Sequence, residues 1–128
     1  MIDVREQSEL EIARFSKEFL HIPISKVTCE YVKEIFAGLL DKEIVVTCHA
    51  GIRSYNFSQW CLDNSIVSEI WNLEEGIDGW SRYIDPSIPS INTLLQIPYF
   101  AHNIIIQAPL RKVITSYSCM TGNYDFSI

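Results

Sequence analysis

The sequence lacks any run of lysine or arginine, any Cys-x-x-Cys pair and any basic leader followed by a long apolar segment. Sixteen acidic residues against ten basic ones give a formal net charge of −6, so the surface field repels nucleic acid backbones. The acidic N-terminal sequence, MIDVRE, argues against a secretory signal. The expectation is therefore a cytoplasmic globular protein with no nucleic acid partner.

The chain has few cysteines, and they are far apart: Cys29, Cys48, Cys61 and Cys119. In a reducing compartment this spacing argues against both a disulfide framework and a structural zinc site. At least one of these cysteines is then free to react. No metal ion and no organic cofactor is required by the chemistry that the sequence indicates.

Strand-like and helical segments alternate along the first two thirds of the chain. Ser8 and Thr28 are predicted to cap two helices, and further helical patterns cover residues 53–63 and 76–83. The strands are predicted at residues 1–4, 20–24, 43–47 and 69–73. Strands that alternate with crossover helices predict an α/β fold, in which helices flank a parallel sheet through right-handed connections.

Reactive side chains and permissive backbone occur together in CHAGIRS, residues 48–54. Cys48 directly follows the most apolar predicted strand, at the sheet edge where α/β proteins bind ligands. Ala50 and Gly51 are small enough for the loop to curl with its amides pointing inward, and the following helix adds a partial positive charge. A thiol beside Arg53 and this helix terminus is expected to ionise readily and act as a nucleophile.

A buried, unreactive cysteine is the alternative interpretation of Cys48, and it is the usual state of a free cysteine. It suits Cys29 and Cys61 better, because both lie on predicted helices. A lone C-x4-R pattern is a weak signal. Its position between a buried strand and a helix makes it a specific one.

Four segments together make the chain resemble the rhodanese-like domains. They are IDVRE at residues 2–6 with Glu9 following, VVTCHAGIRS at 45–54, WNLEEGIDGWS at 71–81 and IDPSIP at 84–89. The resemblance covers roughly residues 1–89. It implies a rhodanese-like sheet and a sulfur-carrying cysteine at Cys48.

The resemblance also implies roles for the residues around Cys48. The substrate-binding loop is expected to comprise His49, Ala50, Gly51, Ile52, Arg53 and Ser54. Arg53 is similar to the member that closes the loop and holds an anion, while His49 is exposed and either steers an anion or is merely solvated. Asp3 and Arg5 resemble a structural pair that braces neighbouring loops.

Compared with that family, the chain begins at the IDVRE strand, so the usual first edge strand and helix are expected to be missing. The predicted domains are an N-terminally truncated rhodanese-like domain at 1–89 and an unmatched tail at 90–128. Residues 104–107 read as a strand that covers the exposed sheet edge; a partly disordered tail is the alternative. Prolines and polar residues within 86–110 argue against a membrane-spanning helix. A truncated, unstable product is a further interpretation of the missing strand.

The number of residues between the cysteine and the arginine distinguishes phosphate or arsenate chemistry from sulfur transfer. Cysteine phosphatases and arsenate reductases are similar but place five residues between cysteine and arginine, whereas four separate Cys48 from Arg53. The tighter ring suits one added sulfur atom. The predicted function is therefore a thiosulfate sulfurtransferase-like enzyme that carries sulfane sulfur as a Cys48 persulfide. Its donor is thiosulfate or a protein persulfide, and its acceptor is a thiol or another nucleophile. A non-catalytic rhodanese-like interaction module and a small phosphatase or arsenate reductase-like enzyme stay open as alternatives.

Overall fold

The computed structural model describes residues 1–90 and the backbone of residues 110–111. Five strands form one sheet in the order β2-β1-β3-β4-β5, in which the first four are parallel and β5 is antiparallel to β4. In chain order the elements are β1 (Ile2–Asp3), α1 (Gln7–Ile12), β2 (Leu20–His21), a 3-10 turn (Ile24–Lys26), α2 (Cys29–Ala37), β3 (Val45–Thr47), α3 (Ile52–Asp63), β4 (Glu69–Asn72), α4 (Gly76–Tyr83) and β5 (Leu110–Arg111). The predicted α/β class with a helix-flanked parallel sheet is confirmed.

The sheet is covered on both faces. Side chains alternate between the two faces along each strand, so Ile2, Val46 and Ile70 enter the larger core cluster together with buried residues of α2 and α3. Val45 and Leu73 contact the smaller cluster on the other face, to which α4 contributes. This arrangement explains why β3 has apolar side chains on both of its faces, as expected for a strand that is covered on both sides.

The N-caps of α1 and α2 can be compared with the two caps predicted from the sequence. Thr28 is the N-cap of α2, and its hydroxyl accepts a hydrogen bond from the Tyr31 amide at 3.2 Å, as predicted. The predicted cap at Ser8 is wrong, because α1 begins before Ser8 and its N-cap is Glu6. The Glu9 carboxylate accepts from the Glu6 amide at 2.8 Å in a capping box. The side chain that caps the start of α1 is therefore a glutamate and not the predicted serine.

The edge of the sheet at β4 is paired. Ile70 lies opposite Leu110, and Glu69 lies opposite Arg111. The strand predicted at residues 104–107 lies outside the described residues, and the domain boundary near residue 89 stays a prediction. None of the helices described has the length and apolar character needed to cross a membrane.

The interpretation of Cys29 as a buried free cysteine is wrong, because Cys29 is half-buried and disulfide-bonded. Cys48 and Cys61 are free and buried. Separation along the sequence does not report separation in space, so cysteine spacing alone could not reveal this bond. The structure therefore leaves Cys48 and Cys61 as the free thiols within residues 1–90.

Candidate functional site

Cys48 lies between the end of β3 and the first turn of α3, and its side chain is buried. Its Sγ accepts a hydrogen bond from the Gly51 amide at 3.1 Å and lies 3.3 Å from Oγ of Ser54. Gly51 is the N-cap of α3 and Ser54 belongs to its first turn. The sulfur therefore faces a helix N-terminus, where free amides and the helix dipole favour a negative charge.

A buried polar pair supports the loop from the side of the sheet. Asn72, at the end of β4, accepts a hydrogen bond from the Ser54 hydroxyl at 2.5 Å and donates to the Gly51 carbonyl at 3.0 Å. Asn72 and Ser54 are almost completely buried. A hydroxyl has one proton, so Ser54 donates either to Asn72 or to the Cys48 sulfur at any one time. Asn72 thus contacts both of the residues that hydrogen-bond to the sulfur.

Two glycines allow the loop to pack against the turn between β4 and α4. Gly51 has φ 94° and Gly76 has φ 60°, and both values lie in the left-handed region. A Cβ on Gly51 would overlap the Glu74 carbonyl, and one on Gly76 would overlap the carbonyls of Cys48 and His49. Amides in the first turn of α4 donate to these two carbonyls at 2.9 and 3.1 Å. The loop and the turn therefore form one tightly packed unit.

Arg53 forms a bidentate ion pair with Glu9 of α1. Its Nη1 lies 2.9 Å from Oε2 of Glu9, and its Nη2 lies 2.6 Å from Oε1. The hydrogen bond to Glu9 raises the pKa of Arg53, and burial opposes this shift, while Cys48 and Asp3 add smaller contributions that raise it. The same hydrogen bond lowers the pKa of Glu9 against the effect of its burial. Arg53 is therefore within electrostatic range of Cys48, but its guanidinium is occupied by Glu9.

Asp3 and Arg5 form a completely buried pair at the end of β1. Nη2 of Arg5 lies 2.8 Å from Oδ2 of Asp3, and Nε of Arg5 contacts both carboxylate oxygens. The Arg5 carbonyl lies 2.6 Å from Nε2 of His21 on β2, and Nη1 of Arg5 lies 3.5 Å from the Glu9 carbonyl. The pair links β1, β2 and α1 beside the site.

The remaining predicted loop residues are less closely placed around the sulfur. Ala50 and Ile52 are exposed, whereas the prediction that His49 is exposed is wrong, because His49 is half-buried. Nε2 of His49 is buried without a hydrogen-bond partner in the described part of the chain. Within residues 1–90, no group of three or more His, Cys, Asp or Glu side chains is arranged to hold a metal ion.

Two contacts of the site were not predicted from the sequence. Glu9 was noted only as part of a motif, and its ion pair with Arg53 bridges 44 positions of the chain. Asn72 was not singled out. The available signal was that Asn72 follows the buried Ile70 by two positions and so lies on the same face of β4, where a buried amide needs partners.

Comparison with curated proteins finds relatives that match about two thirds of the chain. The chain is 33% identical over 91 residues to the rhodanese-like/PpiC domain-containing protein 12, chloroplastic, of Arabidopsis thaliana; the match covers 70% of the chain and 29% of that protein. It is 29% identical over 92 residues to the adenylyltransferase and sulfurtransferase MOCS3 of Drosophila willistoni, with 70% of the chain and 20% of the relative covered.

A third relative is the tRNA uridine(34) hydroxylase of Escherichia coli, 32% identical over 83 residues, which are 63% of the chain and 23% of that protein. The chain thus spans less than a third of the length of these relatives. No protein-family model matches the chain. No solved structure matches it significantly. The similar curated proteins and the helix-flanked parallel sheet together support a rhodanese-like domain in this chain and relate it to proteins of sulfur transfer.

Proposed function

We propose that the chain is a sulfurtransferase that carries sulfane sulfur as a persulfide on Cys48. The observation that supports this proposal best is the contact of the Cys48 sulfur with the N-terminus of α3, where the Gly51 amide donates to it. A persulfide that remains on this cysteine needs donors around its anionic sulfur, and a helix N-terminus supplies them.

The first half-reaction begins with the Cys48 thiolate, which attacks the outer sulfur of the donor. With thiosulfate, a new S–S bond forms on Cys48 and the donor S–S bond breaks, so its electron pair leaves with sulfite. With a cysteine persulfide, the same attack releases the donor cysteine as a thiolate. The terminal sulfur stays on Cys48 as a persulfide anion in either case.

The second half-reaction regenerates the enzyme. An acceptor thiolate attacks the outer sulfur of the Cys48 persulfide, forms a persulfide of its own and releases the Cys48 thiolate. The sequence of two displacements is electron-balanced without a metal or an organic cofactor. It predicts ping-pong kinetics, because the donor product leaves before the acceptor reacts.

The surrounding residues have distinct roles in this proposal. Gly51 and the first turn of α3 stabilise negative charge on the sulfur, and Ser54 provides a hydroxyl within reach of it. Arg53 is the cationic side chain of the loop and is proposed to contact an anionic donor. His49 lines the loop, and its partnerless Nε2 can accept or donate a hydrogen bond when a donor molecule is present.

A non-catalytic interaction module is the second candidate function. One observation favours it: only 1% of Cys48 is exposed, so a donor reaches the sulfur only if the loop opens. In that case the surface around the loop would bind a partner without exchange of sulfur.

A coupled transfer assay distinguishes these functions. The full chain is supplied with thiosulfate or cysteine persulfide as donor and a small thiol as acceptor, and transferred sulfur is measured over time. Wild type and Cys61→Ser should transfer sulfur, and Cys48→Ser should not. No transfer by a folded wild-type chain would favour the interaction module. Hydrolysis of an aryl phosphate that is lost in Cys48→Ser would favour the phosphatase alternative.

A further inference from the structure

The Glu9–Arg53 ion pair has a consequence for the choice of donor. Both terminal nitrogens of the guanidinium contact the two oxygens of one carboxylate, in a fork that leaves little of Arg53 for another anion. The side chains are 20% and 24% exposed, so the pair lies at the border between the site and solvent. An anionic donor that needs Arg53 must therefore displace Glu9 or bind beside its carboxylate.

Glu9 is itself held in place. Its carboxylate accepts a hydrogen bond from the Glu6 amide at the start of α1, in addition to the two from Arg53. The hydrogen bond from Arg53 lowers its pKa, so the carboxylate remains ionised at neutral pH. Displacement of the Glu9 carboxylate would break its hydrogen bonds with both Arg53 and the Glu6 amide.

The other wall of the loop adds negative charge. The turn that packs on Gly51 contains Glu74 and Glu75, and α4 begins directly after it. Burial raises the pKa of Glu75, and Glu74 raises it further, as expected for two carboxyl groups close together. With a net charge of −6 on the whole chain, the field around the loop opposes the approach of a small dianion.

We infer that Glu9 is a specificity-determining residue, which neutralises Arg53 and makes the site select a protein cysteine persulfide over a free dianion such as thiosulfate. This inference rests on the proposed sulfurtransferase function. A persulfide on a protein cysteine has at most one negative charge at the reacting group, and the donor protein can supply binding contacts outside the loop. It therefore does not need the guanidinium that thiosulfate needs.

The test compares two donors on the full chain. We expect Glu9→Gln to raise the ratio of kcat/KM for thiosulfate to kcat/KM for cysteine persulfide about tenfold, because one negative charge next to the dianion is removed. The gain should lie mainly in a lower KM for thiosulfate. Glutamine can still accept from the Glu6 amide, since the capping box accepts either residue. If Glu9→Gln does not fold, the same ratio of kcat/KM values is measured with Glu9→Ala.

Glu11→Gln is the matched control. Glu11 is exposed on the same helix, and its substitution removes one negative charge away from Arg53, so the donor ratio should not change. An unchanged or lower ratio in the folded Glu9 variants would overturn the inference. A rise of the same size in Glu11→Gln would also overturn it, because net charge rather than the ion pair would then set donor choice. If folded wild type forms no persulfide from either donor, the proposed function itself fails, a result distinct from an unchanged ratio.

Discussion

Cys48 and Cys61 are both free and buried, yet their surroundings differ. Cys61 lies within α3 in the larger core cluster, where burial raises the pKa of its thiol well above the ordinary value. Cys48 belongs to the same cluster, but its sulfur accepts a hydrogen bond from Gly51 at the start of that same helix. Burial alone does not make a thiol unreactive. The position along the helix and the donors at the sulfur distinguish the two cysteines.

The largest expected effect is on alkylation of the native chain. We expect iodoacetamide to modify Cys48 more than about a hundredfold faster than Cys61, because local loop opening exposes Cys48 while Cys61 requires disruption of the core. Peptide mapping by mass spectrometry after timed alkylation measures both rates. Equal rates in the folded chain would remove the distinction between the two thiols.

The packing of the loop can be broken at Gly51. We expect Gly51→Ala to lower the free energy of unfolding by more than about 2 kcal/mol, since a Cβ would overlap the Glu74 carbonyl at a positive φ. Gly38→Ala is the control, because Gly38 has an ordinary helical backbone and its Cβ would lie 3.6 Å from the Ile35 carbonyl oxygen, at ordinary van der Waals distance. Denaturant unfolding measures both. A Gly51→Ala variant as stable as Gly38→Ala would contradict the described loop conformation.

The donors around Cys48 can be loosened without a change to the loop itself. We expect Asn72→Ala to cost about 1–3 kcal/mol of stability, since it removes one of the hydrogen bonds to the Gly51 carbonyl and the amide oxygen that accepts from the Ser54 hydroxyl. Persulfide formation should fall about tenfold, as the amide and hydroxyl at the sulfur lose their alignment.

Asn64→Ala is the matched control for this change. Asn64 is a buried asparagine at the end of α3 that donates to the Trp60 carbonyl at 2.9 Å, away from Cys48. Its loss should lower stability and leave persulfide formation unchanged. If both variants slow the reaction equally, Asn72 contributes stability rather than alignment of the site.

A smaller effect is expected from a change in the shape of the cation. Arg53→Lys keeps the charge but loses the planar fork, so persulfide formation from thiosulfate should weaken by up to about tenfold. Arg14→Lys, at an exposed position outside the loop, serves as the control. Single-turnover rates with thiosulfate measure the effect. Unchanged rates in Arg53→Lys would mean that the loop amides suffice and that Arg53 is structural.

The smallest effect concerns acid stability. The pKa of Glu9 is lowered in the folded chain, so its contribution to stability is fully present above the unfolded-state pKa of about 4.3 and is lost as pH falls through the lower folded-state value. Glu9→Gln should therefore lose less stability than wild type between neutral pH and pH about 3. Thermal unfolding across this range measures it, with Glu11→Gln as control. Parallel curves for all three proteins would show that the ion pair adds no stability.

Local patterns in the sequence predicted much of this architecture. The spacing of apolar residues located four strands and four helices, and α4 begins and ends where the pattern indicated. Cys48 was singled out for the same reason, because a residue that directly follows a buried strand lies at the sheet edge where α/β proteins bind ligands. These features depend on neighbours in the sequence.

Contacts between distant segments could not be predicted in the same way. The pairing of Glu9 with Arg53 and the support of Gly51 by Asn72 depend on how helices pack on the sheet. The cap of α1 was missed for a different reason. Either Ser8 or Glu6 could be the N-cap that precedes this helix, and the backbone geometry shows that Glu6 is.

The position of the transferred sulfur tests the central claim most directly. The wild-type chain is treated with cysteine persulfide, freed of excess donor, blocked with an alkylating agent, digested without reductant and mapped by mass spectrometry. We predict one added sulfur atom on the peptide that contains Cys48 and none on the peptide that contains Cys61. Sulfur on Cys61 at an equal level, or none on Cys48 in a chain that unfolds cooperatively, would contradict the assignment of Cys48 as the sulfur carrier.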